Sequence, residues 1–301
     1  VLFTQYPEPV LSLFTPSGGP TAGGTALRLS GTGLRHGSEY SCRFGTDDIV
    51  PARLDYSTGV LHCTTPQYMD YGLSQQILFP SHLSVSLNGQ QFSQPLTYDF
   101  AQRIIVSSVT PAGGPLTGGV LVHVLGANLR QGHRVPGSEV QALSCAFGTS
   151  IVPATFHSGN LSLSCTSPSR TPGEVVIEVT TNGQDFTNYS VPWMQYVPPQ
   201  LSSVEPPSGP IRGGTLISVR GVNLEWQAKL ISAKYVCGFG KLAGNDSLPS
   251  ASAAATYFPA DAVLRCHSPS ASQSGAPFLH ANSSAVLLRI ALLEPPDQLW
   301  T

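Results

Sequence analysis

The six cysteines carry the most reactive side chains of this sequence, and they form three pairs at repeated positions. The first cysteine of each pair opens a Cys-x-Phe-Gly segment, and the second opens a Cys-x-Thr/Ser-Pro segment. Zinc would need four ligands close together, whereas each pair is accompanied only by scattered histidines. Six buried thiols in a cytosolic protein are the alternative to disulfides. We predict one disulfide within each pair: Cys42 with Cys63, Cys145 with Cys165, and Cys237 with Cys266.

Disulfides and glycosylation triplets together indicate an extracellular protein. Disulfides form and persist in oxidising compartments. Four Asn-x-Ser triplets have the pattern that accepts N-linked glycans in secreted proteins. We therefore predict a secreted or cell-surface glycoprotein, with a covalent glycan on at least one of Asn160, Asn188, Asn245 and Asn282.

Other motifs could suggest phosphate binding, metal binding or catalysis, but a structural role explains them better. Gly113 and Gly118 have the spacing of the first two glycines of a phosphate-binding loop, but Gly119-Val120 stands where a lysine and a hydroxyl residue are required. We expect a turn with positive φ instead. The eight histidines include no His-x-x-x-His pair, and the acidic pair Asp47-Asp48 is not repeated, so we predict no metal. A Gly-x-Ser-x-Gly elbow is absent as well. The sequence therefore predicts a protein that is not an enzyme and needs no cofactor.

The charge and the hydropathy of the sequence exclude two further classes of protein. Charged residues make up 11% of the 301 residues and the net charge is -2, so no basic face can neutralise nucleic-acid phosphates. The longest apolar runs, such as Ala285 to Ile290, are shorter than the roughly 20 residues of a membrane-spanning helix. We predict neither nucleic-acid binding nor membrane insertion within this segment.

A repeated glycine pair divides the chain into three units. Gly23-Gly24 returns as Gly118-Gly119 and again as Gly213-Gly214, and each step is 95 residues. A period of this size indicates tandem domains. Each pair is followed by a run of alternating apolar residues that predicts a strand with one face in a core. The predicted core residues are Leu27, Leu29, Val122, Val124, Ile217 and Val219.

Each unit has the pattern of a small all-β domain. Asn88-Gly89 and Asn182-Gly183 each end a strand and predict a hairpin, completed through Phe92 and through Phe186. The 30 glycines and 26 prolines interrupt the chain too often for long helices. About seven short strands in each unit predict a two-sheet sandwich of immunoglobulin type, with a closed barrel as the alternative.

Five motif elements in a fixed order resemble the IPT/TIG domain, the immunoglobulin-like module of plexins, Met-type receptors and fibrocystins. The second unit carries every element, whereas the third opens one glycine short, has an insert rich in Ala and Ser, and lacks the Asn-Gly turn. The resemblance implies three tandem immunoglobulin-like β-sandwiches of IPT/TIG type, each with one intradomain disulfide. The elements of the first unit are Pro16 to Gly24, Gly31 to Leu34, Cys42 to Gly45, Cys63 to Pro66, and Asn88 to Phe92.

Alignment of the units predicts the domain boundaries. We expect residues 8–101, 102–198 and 199–301 to form three IPT/TIG repeats, with truncation of the third as an open alternative. Residues 1–7 align with residues 191–197, so we expect them to be the last strand of a preceding repeat and the chain to be part of a longer array. Proline in the segments entering the first and third repeats predicts stiff joints. The joint over residues 98–103 has no proline and is expected to bend more.

Four residues are candidates for protein contacts. Alternation places Leu121, Leu125 and Leu216 on the solvent side of their strands, and Trp226 follows a loop. Scattered exposed leucines are common, so ordinary surface residues are the alternative to a contact with a neighbouring domain or chain. Two functions remain open: an extracellular structural array that self-associates into a fibre, sheath or appendage, and the stalk or ligand-binding ectodomain of a plexin-, Met- or fibrocystin-like receptor or adhesion protein. We favour the structural array.

Overall fold

The computed structural model is almost entirely β-structure. It describes residues 5–69, 77–130, 132, 143–188, 191–225, 234–241, 251–270, 286–293 and 298–300. These ranges contain 23 strands and no α-helix, which confirms the all-β prediction.

The first repeat contains eight strands in the order β1-β3-β6-β5-β4-β7-β8-β2. β5 pairs with β4 through residues 48–51 and with β6 through residues 52–55, so it passes from one layer of the sandwich to the other at Pro51. Proline suits this position because it cannot donate a ladder hydrogen bond. The strands are β1 (Val10–Thr15), β2 (Gly18–Pro20), β3 (Ala26–Thr32), β4 (Ser41–Phe44), β5 (Asp48–Asp55), β6 (Val60–Thr64), β7 (Leu78–Ser86) and β8 (Leu96–Ala101).

The second repeat has eight strands in the order β10-β16-β15-β12-β13-β14-β11-β9. β13 changes layers after Pro153, as β5 does after Pro51. The short glycine strand pairs in parallel with the last strand in both repeats, Gly18 with Asp99 and Gly113 with Met194. The strands are β9 (Ile105–Thr110), β10 (Gly113–Pro115), β11 (Leu121–Ala127), β12 (Ser144–Phe147), β13 (Ser150–His157), β14 (Ser162–Thr166), β15 (Gly173–Thr180) and β16 (Val191–Tyr196).

The third repeat contains seven strands in the order β17-β18-β21-β20-β19-β22-β23. All six residues of its first strand are exposed, whereas the first strands of the other two repeats each bury two residues. The strands are β17 (Gln200–Glu205), β18 (Leu216–Val222), β19 (Lys234–Lys241), β20 (Ala251–Phe258), β21 (Val263–His267), β22 (Val286–Leu293) and β23 (Gln298–Trp300).

The chain forms two compact units that cut through the second repeat. The first unit comprises residues 1–108, 123–166 and 176–191, and the second comprises residues 109–122, 167–175 and 192–301. The first repeat and the hairpin end of the second repeat therefore belong to one compact unit.

Each repeat buries its predicted core residues and one disulfide. The six apolar residues predicted from the alternation are all buried. The bridges Cys42–Cys63, Cys145–Cys165 and Cys237–Cys266 form as predicted, and in each repeat the first cysteine lies on a different strand from the second. In the first repeat, β4 and β6 belong to different layers, so the bridge joins the two layers across the core.

The repeated glycine pair and the Thr/Ser-Pro segment are explained by one set of contacts. Both glycines have positive φ in all three repeats, which confirms the predicted turn. The second glycine donates its N–H to the carbonyl of the Thr or Ser before proline, at 2.9, 2.9 and 2.8 Å in the three repeats. The hydroxyl of that Thr or Ser accepts the next backbone N–H, at 3.1 Å in each case. These motifs therefore hold the start of a core strand in place.

Candidate functional site

The Asn-Gly turn of the second repeat, residues 182–185, is called the second turn. Its shape is fixed by Asn182, whose Oδ1 accepts the N–H of Gln184 at 3.0 Å and of Asp185 at 2.9 Å. The Nδ2 of Asn182 also donates to Oδ2 of Asp185 at 2.6 Å. Asn favours such turns because its side chain can bond to the backbone two or three residues on. The turn thereby presents the side chains of Gln184 and Asp185 in a fixed arrangement.

Three hydrogen bonds join the second turn to the first repeat, and we call this group the latch. The hydroxyl of Thr25 donates to Oδ2 of Asp185 at 2.7 Å. The Nδ2 of Asn182 donates to the carbonyl of Gly18 at 3.1 Å, and the Nε2 of Gln184 donates to the carbonyl of Ala26 at 3.0 Å. The bond to the carboxylate is charge-assisted and is therefore the strongest of the three.

The centre of the latch is buried. Thr25 is completely inaccessible to solvent, and Asn182 is only 8% exposed. Beneath Thr25 lies the phenol of Tyr98, whose pKa is raised because it is buried; the neighbouring Thr25 hydroxyl acts in the opposite direction. A buried polar group that loses its partner costs more than an exposed one, so the latch bonds should be sensitive to substitution.

A second set of bonds, which we call the clamp, holds the segment between the repeats. The Nδ2 of Asn128 donates to the carbonyl of Arg103 at 2.8 Å, and NH1 of Arg130 donates to the carbonyl of Gln102 at 2.9 Å. Burial lowers the pKa of Arg130 to about 10, which leaves the guanidinium charged at neutral pH. Asn128 adopts a positive φ of 59°, a conformation that Asn tolerates better than most residues. The Gly-x-Asn-Leu element thus serves to fix the joint.

The segment into the third repeat is held in a different way. Met194 and Tyr196 of β16 pack in one apolar cluster with core residues of the third repeat, among them Val219 and Tyr235. Asn223, the counterpart of Asn128, donates to the carbonyl of Pro198 at 3.4 Å. The asparagine of the clamp therefore recurs in the third repeat. The segment that enters this repeat is held by an apolar cluster, whereas the segment between the first two repeats is held by hydrogen bonds.

A cleft of about 390 Å³ opens beside the latch. Its walls combine Pro20 and Ala22 of the first repeat with both apolar and polar groups of the second. Its volume is within the roughly 300–1,000 Å³ range of small-molecule sites. Within the described ranges, no group of three or more His, Cys, Asp or Glu side chains could hold a metal ion. The cleft is lined by Pro20, Ala22, Arg103, Ile104, Arg130, Val179, Thr181, Asn182, Gln184, Asp185, Phe186, Thr187 and Asn188.

Some of the predicted glycosylation and contact residues are exposed, and others lie outside the described residues. Asn160 and Asn188 are exposed, and their glycosylation stays a prediction. Leu121, Leu125 and Leu216 are 51%, 44% and 49% exposed, as the alternation predicts, but their role in contacts stays a prediction. The other candidates lie outside the described residues, namely Trp226, Asn245 and Asn282.

The latch is not evident from the sequence. The absence of proline predicts that the joint over residues 98–103 bends, whereas the latch and the clamp oppose such bending. The hydroxyl and the carboxylate that meet are 160 residues apart in the chain. One signal in the sequence could have indicated this contact. The residue after the glycine pair is Thr25 in the first repeat, and the repeat that follows it has an Asn-Gly turn. In the second repeat the residue is Val120, and the repeat that follows it has no such turn.

Comparisons with known proteins identify the repeats. The IPT/TIG domain family matches residues 9–100, 105–192 and 199–280. Plexin-B2 of Mus musculus is 33% identical over 128 residues, which cover 42% of this chain and 7% of plexin-B2. Fibrocystin-L of Homo sapiens is 26% identical over 219 residues, which cover 70% of this chain and 5% of fibrocystin-L.

A solved structure of the full plexin A4 extracellular region is also similar. It is 18% identical with a TM-score of 0.36, and the match covers 87% of this chain and 21% of that structure. Within the described residues, no helix is long and apolar enough to cross a membrane. The chain spans only 5 to 7% of the length of the two curated relatives described above. Because three successive family matches account for most of its residues, the chain belongs to the IPT/TIG domain family.

Proposed function

We propose that this chain is a non-catalytic extracellular spacer, in which consecutive IPT/TIG domains hold the neighbouring parts of a receptor-type protein at a defined separation. The observation that carries the proposal is the latch between the first and second repeats. A flexible tether would need no such bonds, because flexible linkers consist of solvated Gly and Ser residues. Side chains that bond across a joint and are buried there serve instead to fix one domain on the next.

The extracellular placement is supported by the disulfides and by the related proteins. One disulfide in each repeat is typical of proteins from oxidising compartments. The related proteins are plexins and fibrocystin-L. The five motif elements of this chain resemble the IPT/TIG domains of such proteins. Mass analysis of the protein secreted from eukaryotic cells should find no free thiol and a glycan on at least one of Asn160, Asn188, Asn245 and Asn282. Free thiols without any glycan would contradict the placement.

Joint rigidity can be measured directly between exposed positions of the first compact unit. Spin labels at Ile49→Cys and Ile151→Cys report on the first and second repeats, and both native side chains are more than half exposed. We expect a narrow distribution of distances between the two labels, which broadens when Asp185→Ala removes the latch carboxylate. A broad distribution in the chain with native Asp185 would contradict a spacer function.

Assembly into a fibre, sheath or appendage is the second candidate function. It is favoured by the exposed apolar side chains of Leu121, Leu125 and Leu216, which could form contacts between chains. Electron microscopy and sedimentation of the full chain at increasing concentration test this function. Filaments or ordered oligomers are expected, and replacement of the three leucines by Ser should reduce them. Monomers at every concentration would exclude self-assembly by this chain.

A further inference from the structure

The cleft beside the latch has a glycosylation acceptor at its edge. Asn188 lines the cleft and is exposed, and it opens an Asn-x-Ser triplet. The first repeat has Gln94 at the corresponding position, so its sequence has no acceptor there. Of the two Asn-Gly hairpins, only the one that carries the latch therefore has an acceptor for an N-linked glycan.

The backbone before Asn188 is fixed by the fold. The N–H of Thr187 donates to the carbonyl of Val179 at 3.0 Å, and the hydroxyl of Thr187 accepts the N–H of Val179 at 2.9 Å. Thr187 is only 4% exposed. One residue earlier, Phe186 forms a β-bridge with Thr180. Because these contacts hold the two preceding residues, Asn188 has a defined place at the edge of the cleft.

The walls of the cleft have the composition of a carbohydrate site. A sugar ring has an apolar C–H face, which packs on apolar side chains, and hydroxyl groups, which form hydrogen bonds with amides and carboxylates. Phe186, Pro20 and Ala22 supply the apolar surface, whereas Gln184 and Asp185 supply an amide and a carboxylate. A volume of about 390 Å³ lies near the small end of the roughly 300–1,000 Å³ range of ligand sites. The cleft therefore suits the first sugars of a glycan.

The aromatic wall of the cleft differs from its counterpart in the first repeat. There, the guanidinium carbon of Arg43 lies over the ring of Phe92, 4.0 Å from its centroid. The residue that corresponds to Arg43 in the second repeat is Ala146, which has no cation to place over Phe186. A cation on the ring would compete with a sugar for the same face. Phe186 is partly exposed and lines the cleft, so the second repeat offers an aromatic surface there.

We propose that the first sugars of an N-linked glycan on Asn188 lie in this cleft, where they contact Phe186 of the second repeat and Pro20 of the first. The glycan comes from a lipid diphosphate donor. Nδ2 of Asn188 bonds to C1 of the first sugar, the lipid diphosphate leaves, and one proton is released. Because the glycan is attached to the second repeat and packs on the first, it restrains the joint between them. This role rests on the spacer function proposed above and adds a restraint to the latch.

The first test measures how fast a peptide N-glycosidase releases glycans from the folded protein, secreted by eukaryotic cells. The enzyme cleaves the bond between asparagine and the first sugar and leaves aspartate, which peptide mass analysis detects at each site. Asn160 is the internal control, because it is exposed and does not line the cleft. Release at Asn188 should be about tenfold slower, since the enzyme acts only on molecules whose sugar has left the cleft. After denaturation the two rates should be equal.

A substitution that fills the cleft separates its effect from other causes of slow release. Ala22 is exposed and lines the cleft from the first repeat. Ala22→Trp should displace the sugar and raise the release rate at Asn188 about tenfold. The matched control is Ile49→Trp, at a native side chain 54% exposed and outside the cleft, which should leave the rate unchanged. An absence of glycan on Asn188, or a release rate there that Ala22→Trp does not raise, would overturn the proposal.

Spin-label distances distinguish this proposal from the spacer function. With labels at positions 49 and 151 of the glycosylated chain, Asn188→Gln should broaden the distribution of distances, whereas Asn160→Gln should not. A broad distribution in the glycosylated chain with native Asn188 would contradict the spacer function itself. A narrow distribution that Asn188→Gln leaves unchanged would overturn the role of the glycan, and the spacer function would then depend on the latch alone.

Discussion

The two Asn-Gly turns share their internal structure and differ in what they contact. In both turns the asparagine accepts two backbone N–H groups and donates to the side chain three residues on. The second turn contacts the first repeat through a buried Thr hydroxyl. In the Asn-Gly turn of the first repeat, residues 88–91, which we call the first turn, Gln90 and Gln91 are exposed. The turn sequence therefore determines the internal shape, and the contact with Thr25 makes the second turn part of a joint. The following predictions test this difference between the two turns.

The largest effect is expected from removing the turn asparagine at each site. Asn182→Ala deletes the turn bonds and the bond to Gly18, so we expect the free energy of unfolding to fall by about 3 kcal/mol. Asn88→Ala deletes only turn bonds and should cost about 1 kcal/mol. Urea unfolding, with hydrogen exchange to assign the change to a repeat, measures both. Equal costs would mean that the contact with the first repeat adds nothing.

The hydroxyl of Thr25 gives the next effect. Thr25→Val keeps the side-chain volume but removes the donor to a partly buried carboxylate, so we expect a loss of about 2 kcal/mol. Thr215→Val is the matched control in the third repeat, and its cost within a single chain should stay within about 0.5 kcal/mol. Both values come from urea unfolding at neutral pH. A similar loss for both variants would show that the hydroxyl stabilises each repeat internally and not the joint.

A smaller effect is expected at alkaline pH from Tyr98, which lies beneath the latch. Its pKa is raised by burial, so the folded protein holds the phenol proton at a pH at which the unfolded chain releases it. The stabilisation is therefore complete below the ordinary tyrosine pKa of about 10 and is lost above it, by at most about 1.4 kcal/mol per pH unit. Urea unfolding between about pH 9 and 11 should show this loss in the first repeat, and Tyr98→Phe should reduce it. The second repeat has Trp193 at the corresponding position, so this phenol is absent there.

Local patterns in the sequence were sufficient to predict the domain fold. The alternation after each glycine pair placed Leu27 and Leu29 in the core, and the repeated cysteines gave all three bridges. These features depend on strand period and on spacing within one repeat, both of which a single sequence displays.

The joint could not be predicted in the same way. Asp185 and Gln184 have the composition of a solvated turn, and nothing near them in the sequence indicates Thr25 as a partner. A contact over 160 residues depends on the relative placement of two folded domains, which local pattern does not determine. The comparison of Thr25, Val120 and Thr215 is informative only once the latch is known, because Thr and Val are equally good strand residues.

The smallest effect, and the most specific, is expected from making the first turn resemble the second. Gln91→Asp introduces the carboxylate of Asp185 at an exposed site, so the free energy of unfolding should change by no more than about 0.5 kcal/mol. Urea unfolding measures this change. Gln91→Asn, which shortens the side chain equally without the charge, is the control. If Gln91→Asp changes the free energy of unfolding much more than Gln91→Asn does, the likeness of the two turns is not limited to their internal bonds.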